Sequence, residues 1–218
     1  MKYSPFLFCS LAAVCFAGFF ACPVRATTII ESWTINAAVP DNSSVGISDV
    51  RQFNANISEI TEVTVTLNVT GGWGGDFFAY VVHNSGYSVL LNRIGRSSTD
   101  LLGNAASGLQ LTFTDTALTD VHVAPKSANP LIGNFQPDGR TADPSVVLTT
   151  SPRTKMLSSF NGLAADGTWT LFVADVSPGD GGTVQSWGLK VTGVPEPATV
   201  ALLGFTICLW NSRRQRRN

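Results

Sequence analysis

Apolar and polar residues alternate with period two along most of the chain between residues 27 and 193, where no helical periodicity of useful length occurs. The clearest run is 57–70: Val63, Val65, Leu67 and Val69 fall on one face, Thr64, Thr66, Asn68 and Thr70 on the other. β-Branched residues suit a pleated surface and threonines suit its wet side, so the spacing predicts a strand with one buried face. A looser alternation predicts an edge strand over 29–39, followed by turn chemistry at Asp41, Asn42, Ser43 and Ser44. Beyond the glycine-dense stretch Gly71-Gly72-Trp73-Gly74-Gly75, further strands are predicted at 77–82, 88–91 and 109–113. Residues 116–145 are richer in Pro, Asp, Asn and Gly and read as a long surface excursion.

The chain is organised around its closing pair of runs, 168–176 and 183–192, which flank the turn cluster Ser177-Pro178-Gly179-Asp180-Gly181-Gly182. Trp169, Leu171 and Val173 share one face of the first run, and Trp187, Leu189 and Val191 one face of the second. That pattern predicts a β-hairpin with a buried face, anchored by two large aromatic side chains. Short strands at regular spacing, punctuated by Gly, Pro and Asp, predict an all-β fold: an antiparallel β-sandwich.

Composition narrows the picture. Cys9, Cys15, Cys22 and Cys208 all lie in or beside the terminal apolar segments, so the region between holds no thiol and must rely on core burial. The chain's net charge is only −1, but the ends are basic: between residues 27 and 197 eight Lys/Arg face all fifteen Asp/Glu, a net of −7. Nucleic acid demands a basic face, so no nucleic-acid partner is expected.

The two ends read as targeting segments. Lys2, an apolar run over 6–20 and then Val24-Arg25-Ala26 have the layout of a secretory signal peptide, with cleavage after Ala26. The run is short for a permanent anchor, and the residues flanking Cys22 fit lipid acylation poorly. At the other end, Val194-Pro195-Glu196-Pro197 precedes an uncharged run over 198–210 and then Arg213, Arg214, Arg216 and Arg217. The prolines are expected to break any strand and keep the site accessible. Thirteen residues of helix span about 20 Å against a bilayer core of about 30 Å, so the run is a weak permanent anchor and an adequate temporary one. The arginines hold its end in the cytoplasm and place the rest outside the inner membrane. A plain single-span tail anchor is the alternative.

Two family resemblances follow from these residues. Gly167–Gly193, with Val39-Pro40-Asp41-Asn42-Ser43, Gly75-Asp76-Phe77 and Leu90-Leu91-Asn92-Arg93, resembles the P domain (P/Homo B) of subtilisin/kexin-like proprotein convertases. The resemblance implies a jelly-roll topology and an association with serine endopeptidases and proteolysis. The ending resembles the PEP-CTERM sorting signal of Gram-negative bacteria, with Val194, Pro195, Glu196, Pro197, Arg213 and Arg214 as its processing residues. It implies an exosortase-type processing enzyme and transient inner-membrane contact. The expected organisation is therefore a signal over 1–26, the P domain-like sandwich over 27–193 and the sorting signal over 194–218.

No catalytic apparatus is expected. The exported region has two histidines, His83 and His122, outside any recognisable catalytic context, and lacks a G-x-S-x-G elbow. Asp76, Asp115, Asp175 and Asp180 sit at strand ends or in turns and are the candidate Ca²⁺ ligands. They form no D-x-D-x-D-G loop, and turn chemistry accounts for them, so no cofactor is expected. Trp73, Phe77, Phe78 and Tyr80 could stack on a sugar; Phe78 and Tyr80 share a period-two face and are read as core, which leaves Trp73 as the residue to test. The resulting expectation is a non-catalytic binding or adhesion module at the cell surface or in an exopolysaccharide matrix, with polysaccharide or a surface protein as partner. The alternative is an accessory domain that stabilises a subtilisin/kexin-like endopeptidase on another chain.

Overall fold

Residues 25–126 and 128–196 are described by the computed structural model, so most of the signal segment, the uncharged run 198–210, Pro197, Arg213 and Arg214 lie outside the described residues. Nine strands follow one another: β1 (Thr27–Ala38), β2 (Ser43–Phe53), β3 (Ile57–Gly71), β4 (Phe77–His83), β5 (Gly86–Asn92), β6 (Leu109–Phe113), β7 (Leu131–Phe135), β8 (Gly167–Asp175) and β9 (Gly182–Pro195). They form a five-stranded sheet in the order β1-β9-β3-β6-β7 and a four-stranded sheet in the order β2-β8-β4-β5. With β7 set aside, this is the strand order of a jelly roll: the fold is the all-β sandwich that the alternation predicts. Every pairing is antiparallel except β6 with β7, which is parallel.

The closing hairpin does not form. β8 pairs with β2 and β4 in one sheet, and β9 with β1 and β3 in the other. The connection after Asp175 crosses the sandwich, and the two tryptophan faces meet the same interior from opposite sides. Period two reports one buried face per strand; it does not distinguish strands lying side by side from strands facing each other across a core. Trp169 is 0% exposed and Trp187 1%, and Val65, Leu67, Phe53, Phe77 and Phe113 fill the interior with them. Burying each indole contributes on the order of 4 kcal/mol of transfer free energy before the cost of ordering it.

Three other expectations change. β2 has no predicted counterpart because its inward positions Ile47, Asp49, Arg51 and Phe53 mix apolar and charged side chains and hide the alternation. The supposed surface excursion contains β7 and a 3₁₀ turn, Val121–Val123, and carries buried Val121, His122, Asp138 and Arg140. Finally, Pro195 does not break β9. Val194 lies opposite Glu59 and Pro195 opposite Ile57 on β3, and the Glu196 N–H donates to the Asn56 carbonyl at 3.1 Å. Among the described residues, pairing of β9 with β1 ends at Gly193 and beyond it β9 is paired only on its β3 side, where a proline is tolerated.

Glycine is required where the backbone closes on itself at the mouth of β4. A Cβ on Gly75 would sit 2.1 Å from the Leu102 carbonyl oxygen, and the Gly75 N–H donates to the Asn104 carbonyl at 2.8 Å. At Gly72, φ is +71° and a Cβ would meet the Phe77 ring at 2.4 Å. The glycine-dense stretch is thus the seat of a buried phenylalanine.

Candidate functional site

Along β4, Phe77, Ala79, Val81 and His83 point inward, which leaves Phe78, Tyr80 and Val82 on the outer face of the four-stranded sheet. Phe78 and Tyr80 are therefore not core. The register aligns Tyr80 with Phe172 of β8, and Val82 with Tyr87 of β5. Their rings overlap in a row: Tyr80 and Phe172 stack at 4.7 Å with planes 18° apart, Tyr80 and Tyr87 lie 5.2 Å apart, and Phe78 stands edge-on to Tyr80 at 5.8 Å. Phe172 reaches toward Gly46, where a Cβ would approach its Cζ to 2.9 Å. All four rings remain partly exposed, and burial with the neighbouring Tyr80 pushes the Tyr87 hydroxyl up from its ordinary value. Around the row stand Ser48, Val50 and Thr170; none of the outward positions on β2, β4 and β8 is charged. Trp73, the aromatic singled out in the sequence, is half-buried in the turn before β4, where its carbonyl accepts the Asp76 N–H at 2.9 Å.

Both histidines are built into the core. His83 stacks on Trp169 at 4.2 Å with planes 2° apart; Nδ1 lies 2.9 Å from the Thr168 carbonyl and Nε2 2.7 Å from that of Ala164. His122 sets Nδ1 against Asp138 Oδ2 at 2.7 Å, while Nε2 donates to the Arg96 carbonyl at 2.9 Å. An Asp–His pair of this kind orients a general base only if the far nitrogen is free to take a proton. Here that nitrogen is committed to the backbone.

Asp138 belongs to a buried network that sequence reading missed. Arg140 contacts Asp138 at 3.2 Å and Asp120 at 2.8 Å, and donates to the Thr149 carbonyl at 2.8 Å. Arg153 reaches Asp120 at 3.5 Å and the Pro137 carbonyl at 2.7 Å. Burial opposes the charge on Arg140, but the carboxylates of Asp120 and Asp138 outweigh it and raise its pKa. The excursion reads as polar surface in the sequence because its charges are compensated by one another and by Arg153 just beyond it, partners that only the fold brings together.

Of the candidate Ca²⁺ ligands, the fold brings together Asp76 and Asp175, with Asp41 nearby. Asp175 is fully buried, and burial pushes its carboxyl up to about 6. Desolvation likewise raises Asp76, which faces Arg93 at 3.4 Å. The guanidinium supplies the positive charge at this end of the sandwich. Asp115 lies elsewhere and caps the N–H groups of Leu157 and Ser158 at 3.0 and 2.7 Å. Among the described residues no group of three or more His, Cys, Asp or Glu side chains has the arrangement of a metal site. Of the processing residues, Ala26 is exposed just before β1, Val194 and Pro195 are half-buried in β9, and Glu196 is exposed. Among the described residues no helix is long and apolar enough to cross a membrane.

These features define a jelly-roll sandwich with sealed histidines and an aromatic outer face. Residues 137–191 match the family model of the proprotein convertase P-domain, a span that holds Asp138, Arg140, Arg153 and both core tryptophans. The upstream stretches at 39–43, 75–77 and 90–93 lie outside it. No curated protein matches the chain. Among solved structures the chain is similar to one in the complex of the Aeromonas sobria serine protease (ASP) and the chaperone (ORF2), with 17% identity and a TM-score of 0.43. That likeness covers 78% of this chain and 27% of the other.

Proposed function

We propose that this chain is an exported, non-catalytic P domain-like binding module, released from its signal after Ala26 and sorted through residues 194–218 by an exosortase-type enzyme to the cell surface or an exopolysaccharide matrix. The observation that carries the non-catalytic reading is the commitment of the imidazole nitrogens of His83 and His122 to backbone carbonyls and to Asp138. A hydrolase must present its proton-transfer group to the substrate, and both rings, like the Asp175 carboxyl, are buried inside the sandwich with their polar atoms turned to the protein. The acidic, thiol-free composition suits an exported domain that stays dispersed until it meets its ligand. Mass spectrometry of the protein recovered from each cell fraction tests the reading. An N-terminus at Thr27 and a C-terminus within 194–197, in the surface or matrix fraction, are expected. Recovery of chains that still end at Asn218 overturns the sorting.

A second reading is favoured by the match at 137–191: an accessory domain that stabilises a subtilisin/kexin-like serine endopeptidase on another chain. Capture of the exported chain with its partners separates the two. Recovery of such an enzyme, with a higher Tm on mixing, selects the accessory role; binding to whole cells or crude matrix without protease selects the first.

A further inference from the structure

The outer face of the four-stranded sheet carries chemistry that the core does not need. Four aromatic rings, Phe78, Tyr80, Tyr87 and Phe172, stand in an overlapping row on the solvent side, although the interior is already filled by Trp169, Trp187 and the phenylalanines. The rings are half-buried among their neighbours, and contiguous apolar surface left partly open to solvent marks a place of contact. From the row and its rim we infer that this face binds a neutral polysaccharide chain. The inference rests on the binding-module reading above and names the ligand class and the site.

Charge and size select the occupant. The region between residues 27 and 197 has a net charge of −7, yet the outward positions around the rings are uncharged. An acidic polymer approaching this face meets repulsion from the rest of the domain, and a basic peptide finds no carboxylate on it. A second copy of the chain needs more surface: stable interfaces use roughly 20–30 residues a side, far more than the handful of outward positions here. A neutral sugar chain fits both limits. It is narrow, its pyranose rings present apolar C–H faces to aromatic rings, and its hydroxyls exchange water for hydroxyl partners on Ser48, Thr170 and the tyrosines. The binding surface is a rigid sheet, so little ordering cost falls on the protein side.

Affinity electrophoresis of the exported chain in native gels containing hydroxyethylcellulose, galactomannan or alginate tests this. Retardation by a neutral polymer and not by alginate is expected. Tyr80→Ser is expected to weaken binding roughly tenfold by removing the central ring of the row. Thr170→Glu, which leaves every ring in place and adds a charge beside them, is expected to weaken it too. The emission of the buried tryptophans checks that each variant is folded. Retardation by neither neutral polymer, equal retardation by alginate, or undiminished binding of both variants overturns the inference. A doubled mass in light scattering that Tyr80→Ser abolishes overturns it as well, by assigning the face to self-association. If neutral polymers fail while whole cells or crude matrix still bind, this site is wrong and the module reading stands; if nothing binds, the reading itself falls.

Discussion

The indole N–H of Trp187 donates to Asp49 Oδ2 at 2.6 Å and so ties β9 in one sheet to β2 in the other. Asp49 is held in turn by Arg51 at 2.7 and 3.0 Å, Arg51 lies over Trp33 at 5.9 Å, and Trp33 packs on Trp187 at 4.6 Å. Two tryptophans, an aspartate and an arginine thus close the seam where β1 and β2 leave each other. Asp49→Ala leaves a buried indole donor without its acceptor. A loss of about 1–3 kcal/mol in urea unfolding is expected. Trp187→Phe removes donor and acceptor demand unequally, so combining the two changes should cost less than the sum of the singles.

The buried network over 120–153 predicts a larger effect. Asp138→Ala strips a carboxylate from both His122 and Arg140 and leaves two guanidinium groups, Arg140 and Arg153, with Asp120 as their shared carboxylate, one positive charge in excess inside the protein. A destabilisation of about 3–5 kcal/mol is expected. Trypsin digestion should then cut first within 116–156, because those side chains hold the excursion to β5. Cleavage spread evenly along the chain would contradict this.

Stability should fall as pH rises through the range set by Asp175. Its folded-state pKa of about 6 lies above the ordinary carboxylate value, so the folded protein binds the proton more tightly than the unfolded one does. The stabilisation is full below about pH 4, fades as pH rises toward 6 and is absent above it. Asp76, raised in the same direction by burial, adds to the trend. A lower Tm at pH 7.5 than at pH 5 is expected. Asp175→Asn should flatten that difference and raise Tm at pH 7.5, because an amide keeps the bond from the Ser177 N–H without a buried charge.

Gly75→Ala should be among the most damaging single-methyl changes in the chain. The added carbon would lie 2.1 Å from backbone at Leu102, where no side-chain rotation relieves it. A cost of at least about 2 kcal/mol is expected. By contrast, Gly162→Ala adds a methyl with no atom within 4 Å, and only its φ of +79° resists; about 1 kcal/mol is expected there.

The strands with clean alternation were legible before any coordinates: β3 through Val63, Val65, Leu67 and Val69, and the inward tryptophan faces of β8 and β9. Pairing was not, because period two fixes which face is buried and leaves open which neighbour covers it. That ambiguity produced a hairpin from two strands that belong to opposite sheets. It also hid the aromatic face. Phe78 and Tyr80 share a side of β4 with each other, but the buried side is set by Phe77, Ala79, Val81 and His83, a series that looks less hydrophobic in the sequence. His122, Asp138 and Arg140 escaped notice for a different reason. Charges read as surface until their partners are known, and those partners lie up to 20 residues apart, on either side of β7.

Thr27, the first residue of β1, lies opposite Gly193 near the end of β9. Whatever precedes the sandwich and whatever follows it are therefore attached at one corner. A body tethered at a single corner can pivot about that point, and the sheet that bears the aromatic row is the one containing neither tethered strand. Load applied at the two ends would peel β1 from β9 pair by pair, as a zipper opens, while the contact face stayed assembled until the seam at Trp33 and Trp187 gave way.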